Sequence, residues 1–131
     1  MRYMLDTNTV SSLIKNNPVV SRKIAKVPME KICLSVISEG ELLYGLAKKP
    51  HAKSLRLLVQ EFLKRVDVLV WDTDVAERYG ILRAELESSG NTLGSLDMQI
   101  AAHASQLGAV LVTNDQAFKK IKQLKVEDWT V

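Results

Sequence analysis

Asp6, Glu41, Asp97 and Asp115 are the residues whose types and surroundings point to chemistry. Asp6 closes the short apolar run Tyr3-Met4-Leu5, and Asp115 lies two residues past Thr113, beyond the apolar run Ala109 to Thr113. In an open parallel sheet, ligands bind beyond the carboxyl ends of the strands, so both acids are aimed at a site. Glu41 falls about two turns into the helix expected after the second strand, with Glu39 as a rival on the same segment. Asp97 follows a loop carrying Gly94, at the start of a further helix. Each acid also has a plain structural reading: an N-cap, a solvent-facing helix residue, a first-turn acid complementing the helix dipole, and an Asn-Asp turn. Their agreement on one sheet edge is what sets them apart.

Carboxylates gathered without a counter-ion raise one another's pKa and oppose folding. A hard divalent cation resolves the conflict. Mg²⁺ prefers oxygen ligands, keeps several waters and takes one or two carboxylates directly. An all-oxygen set without a Cys/His cluster argues for Mg²⁺ or Mn²⁺ over zinc. Such an ion lowers the pKa of a bound water and stabilises charge on a transferring phosphoryl group.

The elements that must position these acids follow from the apolar spacing. Tyr3 to Leu5 reads as a strand, followed by a helix with Val10, Leu13 and Ile14 on one side and Asp6 or Thr7 as N-cap. Asn16-Asn17-Pro18 breaks that helix and starts a second, closed by Pro28. Strands are expected at Lys31 to Ser35, Asp67 to Trp71 and Ala109 to Thr113, with a fifth, edge strand at Lys125 to Trp129. Helices are expected at Val36 to Leu46, Ser54 to Val66, Thr73 to Ser89 and Leu96 to Leu107, with a short one at Gln116 to Ile121. Apolar strands separated by helices mean a parallel sheet covered on both faces, within the α/β class.

A chain of 131 residues suits one domain, 1–131, with a proper core. No apolar run is long enough to span a bilayer, and a strand beginning almost at the first residue leaves no room for a secretory signal, so the expected compartment is the cytoplasm. The single Cys33 lies between Ile32 and Leu34 and reads as a buried, inert thiol. His103 falls on an apolar helix stripe and reads as structural. The formal charge of +3 is mild, but with acids concentrated in one pocket the remaining surface is more basic than the total implies. Lys48, Lys49, Lys53 and Arg56, and the cluster Lys119, Lys120, Lys122 and Lys125, are candidates for phosphate contact, against the plainer reading of solvated helix faces.

Taken together, Met4-Leu5-Asp6-Thr7-Asn8, the stretch Ser35 to Gly45 ending in Glu-Leu-Leu-Tyr-Gly, Asp97 to Ala104, Leu111 to Asp115 and the terminal Glu127-Asp128-Trp129 resemble the PIN-domain ribonucleases. The nearest likeness is to the VapC-type toxins of bacterial toxin–antitoxin modules. The resemblance implies a three-layer α/β/α sandwich around a parallel sheet of four to five strands. It implies a Mg²⁺- or Mn²⁺-dependent endoribonuclease whose substrate is RNA, with tRNA, and initiator tRNA near its anticodon, as first candidate. By position it puts the family's site acids on Asp6, Glu41, Asp97 and Asp115, with Asp6 and Asp97 as metal ligands and Asn8 and Thr113 as supporting polar residues. Glu41 rather than Glu39 takes the glutamate slot because it directly precedes Leu-Leu-Tyr-Gly. A cognate VapB-type antitoxin and a homodimer or higher toxin–antitoxin oligomer are also implied. Leu43, Tyr44, Leu46 and the stripe of Ser54 to Val66 serve either a dimer face or the core.

Other strand–Asp folds fit less well. A haloacid dehalogenase-type phosphatase wants a second Asp at the position of Asn8. A response-regulator receiver wants an acidic pair at the first strand's end, although Asp72 stands where its phospho-acceptor would. A non-catalytic RNA-binding module has no need of all four acids.

Overall fold

The computed structural model describes residues 1–131. Its strands are β1 (Tyr3–Leu5), β2 (Ile32–Ser35), β3 (Asp67–Leu69), β4 (Val110–Val112) and β5 (Lys125–Glu127). Its helices are α1 (Thr7–Ile14), α2 (Pro18–Ala25), α3 (Val36–Ala47), α4 (Lys53–Arg65), α5 (Thr73–Ser88) and α6 (Ser95–Leu107). Single 3₁₀ turns cover Met29–Lys31 and Gln116–Lys120. All strand pairs are parallel and the sheet order is β3-β2-β1-β4-β5. The chain therefore builds outward from β1 on one side, then returns to lay β4 against its other side. That reversal leaves a crevice beyond the carboxyl ends of β1 and β4, the place where such sheets bind ligands.

Side-chain alternation along the central strands feeds two cores. Met4, Cys33 and Leu111 point to one face, where Leu82 and Leu86 of α5 and Met98, Ile100 and Ala101 of α6 cover them. Leu5, Ile32, Leu34 and Val112 point to the other, under Val10 of α1, Leu42 and Leu46 of α3 and Val59 of α4. The result is the expected α/β/α sandwich, with a five-stranded sheet. Each fully buried Leu, Ile or Met side chain contributes roughly 1.5–3 kcal/mol to this packing.

Local chemistry sets the helix boundaries. Asn16 takes a left-handed φ of 62° to end α1, and the Asn17 carboxamide then accepts from Val19 N and Val20 N to cap α2, whose first residue is Pro18. Gly108, at φ 65°, ends α6 in the left-handed conformation that glycine adopts without a Cβ clash. The strand expected over Asp67 to Trp71 is shorter. β3 is a sheet edge, Val70 leaves it and is 73% exposed, and Trp71 turns to donate from Nε1 to the Gln99 carbonyl. Leu46 belongs to the core, whereas Leu43, Tyr44, Leu57 and Leu58 remain exposed. No helix is long and apolar enough to cross a membrane.

Candidate active site

Asp6 follows β1 directly and occupies the N-cap position of α1, but its side chain closes no capping hydrogen bond on the helix. Its carboxylate turns instead toward β4, where Oδ2 accepts from Thr113 Oγ1 at 2.6 Å. The same hydroxyl oxygen accepts from the Asp115 backbone N–H at 3.1 Å, and Asp115 Oδ1 accepts from Ala117 N at 2.9 Å. Thr113 is itself held in register because its N–H donates to the Glu127 carbonyl of β5. One threonine thus fixes the side chain of the first acid and the backbone of the fourth, across the crevice between the central strands.

Asp6 is 5% exposed. Burial pushes its carboxyl above the usual carboxylate value; the Thr113 hydroxyl and the nearby amides of Thr7 and Asn8 pull it back, and Asp115 pushes it up again. Asp97 sits in the first turn of α6, a helix that packs against α3. Burial raises its carboxyl first, and then the charges of Asp6, Asp115 and Glu41 add to the effect. The fold has therefore brought all four sequence-selected acids into one electrostatic neighbourhood. Glu41 is fixed by a neighbour that sequence reasoning did not select: Thr7 Oγ1 donates to Glu41 Oε1 at 2.8 Å, tying α1 to α3. The ion pairs of the molecule are Arg2–Asp67, Lys64–Glu61 and Arg83–Glu87, so no lysine or arginine neutralises the acidic group.

A family profile described as PIN domain matches residues 3–124. The chain belongs to the PIN-domain family. Among its PIN-domain relatives, the protein from Salmonella typhimurium named tRNA(fMet)-specific endonuclease VapC is 38% identical over 130 residues, covering 98% of each chain. Among solved PIN-domain structures, the DNA-bound VapBC of Salmonella typhimurium gives a TM-score of 0.91 at 38% identity over 98% of both chains. VapBC2 of Rickettsia felis, bound to a DNA fragment from its promoter, gives 0.90 at 34% identity over 98% of this chain and 99% of that one. The placement is with the VapC ribonucleases.

PIN-domain nucleases depend on divalent metal ions, and the residues present here fit one. The donors are all oxygen, they lack a protein counter-ion, and burial and mutual repulsion both oppose their charge. The Ser38 hydroxyl on α3, fully buried and without a partner, lies on the same helical face as Glu41, three residues before it. An orphaned hydroxyl of this kind costs about 1–3 kcal/mol. No three of the acids close into a ready-made cage. That arrangement suits Mg²⁺-like ions, which hold much of their water and take one or two carboxylates directly.

Other residues singled out from the sequence fall outside this cluster. Asn8 is exposed and its side chain makes no hydrogen bond in the PIN fold; Thr7, one position earlier, faces the site instead. His103 is 1% exposed in the core of α6, with Nδ1 2.8 Å from Ser35 Oγ. That serine oxygen also accepts from Ile37 N, so the ring is tied to the N-terminal turn of α3. Burial holds His103 below its usual pKa, against a smaller upward pull from Asp72. The structural reading of this histidine is the one the geometry supports. Cys33 is fully buried, and burial pushes its thiol up to about 11, which leaves no nucleophile.

Proposed function

We propose that this chain, as a single PIN domain over residues 1–131, is a Mg²⁺- or Mn²⁺-dependent endoribonuclease and the toxin of a toxin–antitoxin module. The observation that carries the reading is the set Asp6, Glu41, Asp97 and Asp115, gathered at the β1–β4 crevice without a neutralising cation. In this reading Asp6 and Asp97 hold the metal, and Glu41 and Asp115 complete the acidic pocket. Thr113 and Thr7 keep the acids in position. A bound divalent ion supplies a low-pKa water and neutralises charge that develops on the phosphodiester. The protein's own task is to fix the carboxylate oxygens in advance, so that little reorganisation is needed at the moment of cleavage. His103 takes no part as a base, because it lies inside the core.

The substrate class in this proposal is tRNA, and the Salmonella relative's name makes initiator tRNA the first to test, at its anticodon region. The partner is a VapB-type antitoxin, as in the solved VapBC complexes. The exposed apolar residues Leu43, Tyr44, Leu57 and Leu58 support a homodimer or a higher toxin–antitoxin assembly. The proposed compartment is the cytoplasm, where tRNA is found.

The deciding experiment is cleavage of a labelled tRNA pool by purified, antitoxin-free protein, with Mg²⁺ or Mn²⁺ against EDTA, and with Asp6→Asn in parallel. Discrete metal-dependent fragments that vanish with Asp6→Asn are expected. Equal cleavage by the variant, or cleavage that persists in EDTA, overturns the assignment.

A further inference from the structure

A groove of about 220 Å³ leads away from Glu41 between α1 and α3. Along α1 it is lined by Thr7 and Ser11, with Lys15 just past the helix end; along α3 by Glu41 and Gly45, with Lys48 and Lys49 just past its end. The Thr7–Glu41 hydrogen bond marks its acidic end. The eight residues from Thr7 to Lys15 set the basic end about 12 Å away, at 1.5 Å rise per residue. Between the ends the floor is apolar, built from α3 and α4 side chains. Lys15, Lys48 and Lys49 form no ion pair; Lys48 rests with Nζ 4.6 Å from the Tyr44 ring centroid.

Lysines at helix C-terminal ends complement the helix dipole, which accounts for cations at the ends of α1 and α3. It does not account for Gly45. Glycine inside a helix is unfavourable relative to alanine. A Cβ built at Gly45 meets no atom within 4 Å, so no internal packing excludes a side chain there. What a side chain at this position would enter is the groove itself, midway between the acid and the lysines.

We propose that this groove holds the RNA strand on one side of the scissile phosphodiester. Phosphates lie at Lys15, Lys48 and Lys49, and the sugar–phosphate chain passes over Gly45 toward the acidic pocket. The inference rests on the nuclease reading above and adds to it the path of the substrate. Charge selects the occupant: three free ammonium groups in line with a cluster of phosphodiester-directed acids fit a polyanion entering from the basic end.

The test is binding of a labelled tRNA pool to the full-length chain in EDTA across a salt series, with cleavage measured separately in Mn²⁺. For Lys15→Gln/Lys48→Gln/Lys49→Gln, the slope of log K against log salt is expected to become shallower by about 2, from three contacts at about 0.7 each on a single strand. The KM for cleavage is expected to rise at least about tenfold, since that rise corresponds to only one 1.4 kcal/mol step. Gly45→Ala is expected to raise Tm while weakening RNA binding. A merely structural glycine would give the opposite sign in Tm and leave binding alone. Wild-type cleavage with unchanged slope, KM and binding in both variants overturns the groove while the nuclease reading stands. A lysine-dependent slope in a protein that never cleaves with either metal supports the groove and overturns the nuclease reading. Variants that bind RNA normally but lose complex formation with an antitoxin segment overturn the RNA path and give the groove to a protein partner.

Discussion

The Thr113 hydroxyl donates a 2.6 Å hydrogen bond to Asp6 Oδ2, joining residues that lie 107 positions apart in the chain. The same oxygen receives the Asp115 amide, so this one hydroxyl ties the first acid to the turn that carries the fourth. Thr113→Val keeps the β-branched shape that suits a buried strand end and removes only the hydroxyl. Catalytic efficiency or metal affinity is expected to fall about 10–100-fold, the usual cost of removing a partner that orients a ligand. Thr113→Ser should restore most of it. Metal titration of activity for both variants checks this.

Thr7 plays the corresponding part for Glu41, at a half-buried position and with one bond rather than two. Thr7→Val is therefore expected to cost less, about tenfold at most, in line with about 1 kcal/mol for such a hydrogen bond. A loss as large as that of Thr113→Val would show that Glu41 takes a more direct part than positioning assigns it.

The acids are expected to trade stability for function. Asp97 has a raised pKa in the folded state, so the folded protein binds the proton more tightly than the unfolded chain does. Stability from this group is present at low pH and is lost as pH rises through the raised value. In metal-free protein at neutral pH, Asp97→Asn should raise Tm while lowering cleavage about 100-fold or more. Divalent metal should reverse the order, stabilising the wild type by about 2.7 kcal/mol at a hundredfold excess over Kd and the variant by less. Thermal melts in EDTA and in Mn²⁺ measure both effects.

His103 titrates in the other direction. Burial lowers its pKa from the usual 6.5, so the unfolded chain takes the proton first. Its contribution to stability is complete above pH 6.5 and is lost as pH falls through the lowered folded value. His103→Gln should flatten the acid side of a Tm profile recorded from about pH 8 to about pH 5. An unchanged acid slope would show that folding does not lower the pKa of this ring.

Much of this site was readable before the fold. Asp6 and Asp115 announce themselves by ending short apolar runs, and Glu41 by the Leu-Leu-Tyr-Gly that follows it. What the pattern does not carry is phase and distance. Asn8 stands two residues from Asp6 in sequence, but neighbours on a helix point about 100° apart, and it is Thr7 that faces Glu41. That bond crosses 34 positions, and Lys15 reaches the same groove from the far end of α1; neither relation leaves a local signature. Val70 misled for a related reason. An apolar residue in a run looks the same on a central strand as past the end of an edge strand, and only strand order separates them.

The strand order also governs when activity can appear. β4 lies between β1 and β5, so a strand inside the sheet is made only after β1, β2, β3 and the six helices. A nascent chain that stops short of Thr113 already carries Asp6, Glu41 and Asp97, yet it lacks the hydroxyl that holds Asp6 and the wall on which the crevice closes. In this fold the first acid is therefore not held until the β4 segment has been made and has paired with β1.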